Sequence, residues 1–247
     1  MIRLTTQHPE RVYLKELLQE NCLDISSTQL SIQLSIESGV SITLYDNLID
    51  VNKASGNAKH QIEFIVHEDG ILQYYLHAVP ALQQVVYAAP DKNSFMPALH
   101  DKALIEKDLT VRLVGKNAQA NLHCTCYGSG DKVFKFTTLQ DHQVADTKSD
   151  LLIKSVLDDN AKITCNSMIH IRKDAQHAVA ELNNKNIVLS KKARVVSIPQ
   201  LEIEANDVVC KHGAAISTIN DEQVFYLQSR GIDALQTRKM LIEAFLQ

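Results

Sequence analysis

From Leu104 to Ala215 the chain alternates apolar and polar residues segment after segment, yet it carries almost nothing that could fold one strand back on the next. Leu109, Val111 and Leu113 alternate with Thr110 and Arg112; Leu122, Cys124 and Cys126 share a face. Ile163, Cys165, Ser167, Ile169 and Ile171 share another, and Leu201, Ile203 and Ala205 alternate with Glu202 and Glu204. A period of two sends successive side chains to opposite faces, so each segment hides one face and wets the other. Tight hairpins favour Asn-Gly, which is absent, and the one Gly-x-Gly turn is Gly128-Ser129-Gly130. Helical crossovers, the usual links between parallel strands, are missing from the same stretch. What recurs instead is a short polar corner ending in alanine: Lys116-Asn117-Ala118, Asp158-Asp159-Asn160-Ala161, Lys173-Asp174-Ala175 and Lys191-Lys192-Ala193. A small residue lets the chain bend inward there. The pattern predicts a mainly β fold in which strands stack coil upon coil, as in a β-helix or β-solenoid, each coil covering its neighbours' apolar face.

The same alternation begins earlier, with Leu30, Ile32, Leu34 and Ile36, then Val40, Ile42 and Leu44, and the β-helix core is assigned to residues 28–217. Both ends of such a core need covering, because an open coil exposes a sheet edge. Residues 1–27 are expected to be a short helical segment: Pro9 suits a first helical position, and Leu14, Leu17 and Leu18 are helically spaced through Gln19. Residues 218–247 are expected to form a helical hairpin. Asn220 with Gln223 and Asp233 with Gln236 are capping-box pairs, and Gly231 suits the left-handed position between two helices.

The formal net charge of −4 gives no footprint for nucleic acid or an anionic membrane; Lys191-Lys192-Ala193-Arg194 is the densest basic run and reads as a solvated turn. No apolar run approaches the ~20 residues of a membrane helix, and Met1-Ile2-Arg3-Leu4 leads into polar residues without a signal-peptide pattern. Five cysteines at irregular spacing (Cys22, Cys124, Cys126, Cys165 and Cys210) fit reduced thiols and a cytoplasmic protein.

Cys210 and His212 are the best candidates for chemistry. On one strand their side chains share a face, about 7 Å apart at Cα, and thiolate with imidazole suits iron or zinc. Gly213 permits an unusual backbone angle or a close approach. Read alone, the pair is a weak signal, because Val208 shares the face and Cys210 fits as a small core residue. Cys124 and Cys126 read as a core pair; His123, His142, His170 and His177 as isolated packed or solvated histidines; Asp141, Asp146 and Asp150 as solvated loop carboxylates whose spacing fits no single strand face. No Gly-Lys-Ser/Thr follows any of the eight glycines, and no Gly-x-Ser-x-Gly occurs, so the chain is expected to be neither an ATPase nor a serine hydrolase.

The flanks of Cys210-Lys211-His212-Gly213 change the weighting. Pro199-Gln200-Leu201-Glu202-Ile203, followed by Ala205–Ala214, resembles the SufD branch of the SufB/SufD family, where a Pro-Gln-Leu-Glu-Ile strand leads into Cys-x-His-Gly-Ala. The likeness continues through Gln223–Ile232 to Leu241-Ile242-Glu243-Ala244-Phe245, and more weakly upstream to about Leu104. The coil before Pro199, Ser190–Val195, lacks the cysteine that SufB proteins carry there, which favours SufD. The resemblance implies a right-handed parallel β-helix and a non-catalytic scaffold for iron–sulfur cluster assembly. It implies pairing through the last coils with a SufB-like subunit or a second copy, and a SufC-like ABC ATPase docked on the C-terminal helices. A transient iron–sulfur cluster would form at the subunit interface, with His212, and less surely Cys210, as metal ligands. Phe225, Tyr226, Arg230, Leu241 and Phe245 would serve partner docking. Two other readings compete: a self-associating β-helix module without cluster chemistry, and a β-helix enzyme acting on carbohydrate, which the absence of Trp disfavours.

Overall fold

The computed structural model describes residues 2–4, 11–14, 16–17, 29–46, 56–79 and 103–247. Its strands fall alternately into two parallel sheets of seven strands each. One sheet holds β1 (Ile2–Leu4), β3 (Gln29–Ile36), β5 (Gly56–Val66), β7 (Ala103–Leu113), β9 (Val133–His142), β11 (Lys162–Ile171) and β13 (Arg194–Ile203). The other holds β2 (Arg11–Tyr13), β4 (Ser41–Asp46), β6 (Ile71–Ala78), β8 (Gln119–Gly128), β10 (Lys148–Leu157), β12 (Val179–Val188) and β14 (Val209–Ser217). Each coil contributes one strand to each sheet, and the expected β-solenoid is the observed fold. Two helices follow, α1 (Asp221–Ser229) and α2 (Ala234–Leu246).

The predicted corners turn the chain as their composition suggests. Ala118, Ala161, Ala175 and Ala193 are all buried. Each donates its backbone N–H to the carbonyl three residues before it, of Gly115, Asp158, Arg172 and Ser190 respectively. Corners also stack: Asp69 N–H bonds Lys116 O, Asn160 N–H bonds Gly130 O, and His177 N–H bonds Asp207 O. Asn117, Asp146 and Asp159 take positive φ, a conformation Asn and Asp tolerate better than other side-chain-bearing residues. Gly128-Ser129-Gly130, the one hairpin-like turn foreseen, is another such corner, since β8 and β9 lie in different sheets.

Because the pairing is parallel and in register, inward residues form columns along the solenoid. One column runs Ile36, Val66, Leu113, His142, Ile171 and Ile203. Five of its members are fully buried apolar groups or, at His142, an imidazole whose two ring nitrogens meet Thr147 Oγ1 and Ser149 Oγ at 2.8 Å each. His142 is thus a satisfied core histidine, and burial holds its pKa down to about 4. A second polar island lies nearer the N-terminal end. Lys107 meets the Asp46 carboxylate with both side chains fully buried, and Tyr74 Oη donates to Asp46 at 2.5 Å. Burial first, and then the Lys107 charge, hold the nearby His60 at about 4.

The N-terminal expectation needs adjusting. Arg11–Tyr13, inside the helix expected from Pro9, is a strand paired with β4, and among the described residues of this segment helical backbone stands at Leu14, Glu16 and Leu17. Leu14 and Leu17 do bury in the core; Pro9, Leu18 and Gln19 lie outside the described residues. Cys22 does too.

The C-terminal hairpin forms with Asn220 and Asp233 as its N-caps, although Asn220 bonds Glu222 rather than the expected Gln223. Asn220 Oδ1 accepts from Glu222 N–H at 2.8 Å, Asp233 Oδ1 accepts from Gln236 N–H at 2.9 Å, and Gly231 has φ 85°. It does not cap the coil end. Instead Ile242 and Leu246 of α2 pack on an outward stripe of Tyr127, Val156 and Ile187 on the flank of the solenoid. No helix among the described residues is long and apolar enough to cross a membrane.

Candidate functional site

The last coil, β13 with β14, has no neighbour among the described residues beyond it. Its inward side chains therefore end their columns in the open. Ile171 is fully buried, whereas Ile203, next in the same column, is 42% exposed. Leu201, Val196, Ile198, Val209 and Ile216 are exposed as well. An uncovered sheet edge with apolar groups at the end of a solenoid is a surface on which another strand can pair.

Cys210 and His212 sit on this end. Cys210 pairs in register with Ala180, and His212 with Leu182, both buried inward residues, so the expected shared face is the inward face of β14. The His212 column runs Leu44, Tyr74, Leu122, Leu151, Leu182 and His212. An imidazole thus tops a stack of buried apolar residues and is exposed only because the solenoid stops there. Cys210 is half-buried against the core, and burial pushes its thiol above the usual range. Gly213 keeps ordinary extended backbone, so no special angle requires the glycine; a Cβ there would meet only the tip of the Asn183 side chain, at 2.9 Å.

Polar groups beneath the open end lock the last coil. Asn184 Nδ2 donates to Ser197 Oγ at 2.8 Å, joining the two sheets across the interior. Asn186 Nδ2 donates to Asn184 Oδ1 at 2.9 Å and to Ala215 O at 3.2 Å, while Ser155 Oγ donates to Asn186 Oδ1 at 2.5 Å. Both amides are buried. Cys124, Cys126 and Cys165 are buried in the same core, as expected of packed thiols; burial pushes Cys165 up to about 12 and the other two higher. Such thiols are poor nucleophiles and poor ligands.

The residues expected to dock a partner divide between two environments. Phe225 and Tyr226 on α1 are 74% and 58% exposed, and the Arg230 guanidinium lies 5.3 Å from the Tyr226 ring centroid. Leu241 is half-buried on α2, and Phe245 packs at the flank with Lys154 Nζ 5.8 Å from its ring.

Sequence reading missed a charged ladder on the outer face. Arg112, Asp141, His170 and Glu202 align on four successive strands. Asp141, expected in a solvated loop, lies in β9 and is only 1% exposed. Arg172 grips it with two bonds of 2.9 Å and Arg112 adds one of 2.8 Å, so its carboxyl is held below the usual range although burial opposes the shift. The signal was a one-coil spacing between residues of opposite charge, readable only once the coil length is known. Asp146 does lie at a corner, paired with His177 and Lys116, and Asp150 is exposed on β10.

These features define a parallel β-solenoid whose final coil is open and carries exposed apolar residues, with a helical hairpin held on its flank. The family model for the SUF system FeS cluster assembly SufBD core domain matches residues 24–245, and the chain belongs to that family. It is 26% identical over 238 residues to the iron–sulfur cluster assembly protein SufD of Escherichia coli, covering 90% of this chain and 54% of that protein. It is 34% identical over 150 residues to an iron–sulfur cluster assembly SufBD family protein of Synechocystis, covering 56% of this chain and 33% of that protein. A SufBD family protein of Staphylococcus epidermidis is 23% identical over 198 residues, 75% of this chain and 42% of its own length. The chain spans about half the length of the first of these relatives and less of the others.

Proposed function

We propose that this chain is a SufD-like scaffold of a cytoplasmic SUF iron–sulfur assembly complex, without catalytic turnover of its own. Its final coil pairs with a SufB-like subunit or a second copy, and its helical hairpin docks a SufC-like ABC ATPase. The observation that carries this reading is the place of His212: an inward-facing residue of the last strand, left accessible by the end of the solenoid. The nascent cluster is the cargo. His212 offers an imidazole to its iron across the interface, and Cys210 is a second donor. Burial holds the Cys210 thiol above its usual range, so metal binding there would release a proton. Exposed Phe225 and Tyr226 on α1, which buries none of its own residues, suit a docking role for a protein partner.

A tagged full chain is to be isolated from native cytosol under anaerobic conditions. Co-isolation of an ABC-type ATPase and a SufB-like protein, with loss of the ATPase alone on Phe225→Ala/Tyr226→Ala, is the expected result. Recovery of the chain as a homodimer without an ATPase would favour the self-associating module instead, a reading supported by the apolar residues at the open end.

A further inference from the structure

We propose that His170, Glu202 and Glu204 form a divalent transition-metal site on the outer face of the last two coils, separate from the inward-facing Cys210 and His212. One ligand atom from each of the three lies within 4.8 Å of the others. The arrangement follows from the solenoid. Glu202 pairs in register with His170 across β13 and β11, and Glu204, two residues further along, has its N–H held by Ile171 O at 2.8 Å. Both carboxylates therefore stand on the same outward side as the imidazole.

The two ring nitrogens of His170 face different partners. Nε2 is 3.4 Å from Glu204 Oε1, on the side of the cluster, while Nδ1 is 3.6 Å from Asp141 Oδ1. Asp141 is buried and fixed by Arg112, Arg172 and Gln143, so it does not compete as a ligand. It lies behind the imidazole as seen from the cluster, the side on which an orienting carboxylate stands behind a ligating histidine, and Nε2 is the nitrogen turned toward the two glutamates. Glu202 and Glu204 stand two residues apart on one edge strand, close enough for a single divalent ion to take an oxygen from each. One nitrogen and two carboxylate oxygens suit zinc, manganese or ferrous iron, with the remaining positions left to water. Glu202 and Glu204 are exposed and His170 is half-buried, so the ion enters from solvent.

The inference does not rest on the SufD-like reading, because the three residues face away from Cys210 and His212. The test is titration of the full-length apo chain with Zn2+ alone by calorimetry, with Co2+ absorption to report the donor set. One saturable site is expected, showing cobalt d–d bands without thiolate charge transfer. His170→Ala and Glu204→Gln should each weaken it at least ~10-fold, as expected for loss of a metal contact. Cys210→Ala/His212→Ala and His177→Ala should leave it unchanged. Both test substitutions are on the outer face, and unchanged far-UV circular dichroism shows that they fold. Absence of saturable binding, binding unaffected by Glu204→Gln, or binding lost in Cys210→Ala/His212→Ala overturns the proposal. Failure of the ATPase co-isolation would leave this result untouched.

Discussion

His212 stands in register on Leu182, one coil further along the same inward column, yet Leu182 is 1% exposed and His212 is open to solvent. The two residues face the same way on adjacent strands; only the presence or absence of a following coil differs. A core position becomes a surface position where the stack of coils ends.

The pair gives a direct contrast in stability. Leu182→Ala removes buried methyl groups from a packed column and should cost about 2–5 kcal/mol. His212→Ala should stay within about 0.5 kcal/mol, as for exposed positions. Urea unfolding of the isolated chain checks both.

The buried Lys107–Asp46 pair should behave asymmetrically. Lys107→Met removes the buried cation that faces the Asp46 carboxylate and should cost roughly 3–5 kcal/mol. Adding Asp46→Asn removes the carboxylate charge and should restore most of the loss, a coupling that a double-mutant cycle in urea reads out.

Stability should fall on mild acidification. His142 and His60 both have folded pKa values of about 4, below the 6.5 of an ordinary histidine. Between those values the unfolded chain binds more protons than the folded one. Stability is therefore fully present above about pH 6.5 and is lost as pH falls toward 4. A shift of this size corresponds to roughly 3 kcal/mol for a fully buried group such as His142, and less for His60, which is less deeply buried. Unfolding midpoints measured from pH 7 to pH 4 should show the decline, and His142→Gln should flatten part of it.

The flank contact of α2 should be separable from the solenoid. Ile242→Ala, at the centre of the cluster with Tyr127, Val156 and Ile187, should cost about 2–5 kcal/mol of local packing. Amide exchange should quicken across residues 221–246 while β7–β12 keep their protection. Uniform loss of protection would show instead that the helices and the solenoid unfold as one unit.

Much of this architecture was legible in the chain because the solenoid repeats two local signals. Alternation marked the strands from Leu109 to Ala205, and the alanines closing the corners proved buried where the bend required them. Short polar caps at Asn220 and Asp233 located the helices. Non-local features were not legible. Ile2–Leu4 and Arg11–Tyr13 are too short to alternate visibly and exist as strands because β3 and β4 pair with them. Lys107 sits at an inward position of β7 where the pattern calls for an apolar residue, and only the fold brings Asp46 to it. Asp141, His170 and Glu202 each occupy one coil, so their meeting depends on the coil length. At the candidate site, sequence chemistry placed Cys210 and His212 on one face, but it could not tell that this face ends in the open.

The proposed role of the open last coil is to build a cluster with a partner through His212. Its most direct test is anaerobic reconstitution of the purified pair, this chain with a SufB-like subunit and the ATPase, using ferrous iron and sulfide. The visible iron–sulfur absorption should appear with wild-type chain and be lost or strongly reduced with His212→Ala, whose fold and subunit pairing remain intact. Full cluster absorption with the His212→Ala chain in an intact complex would contradict it.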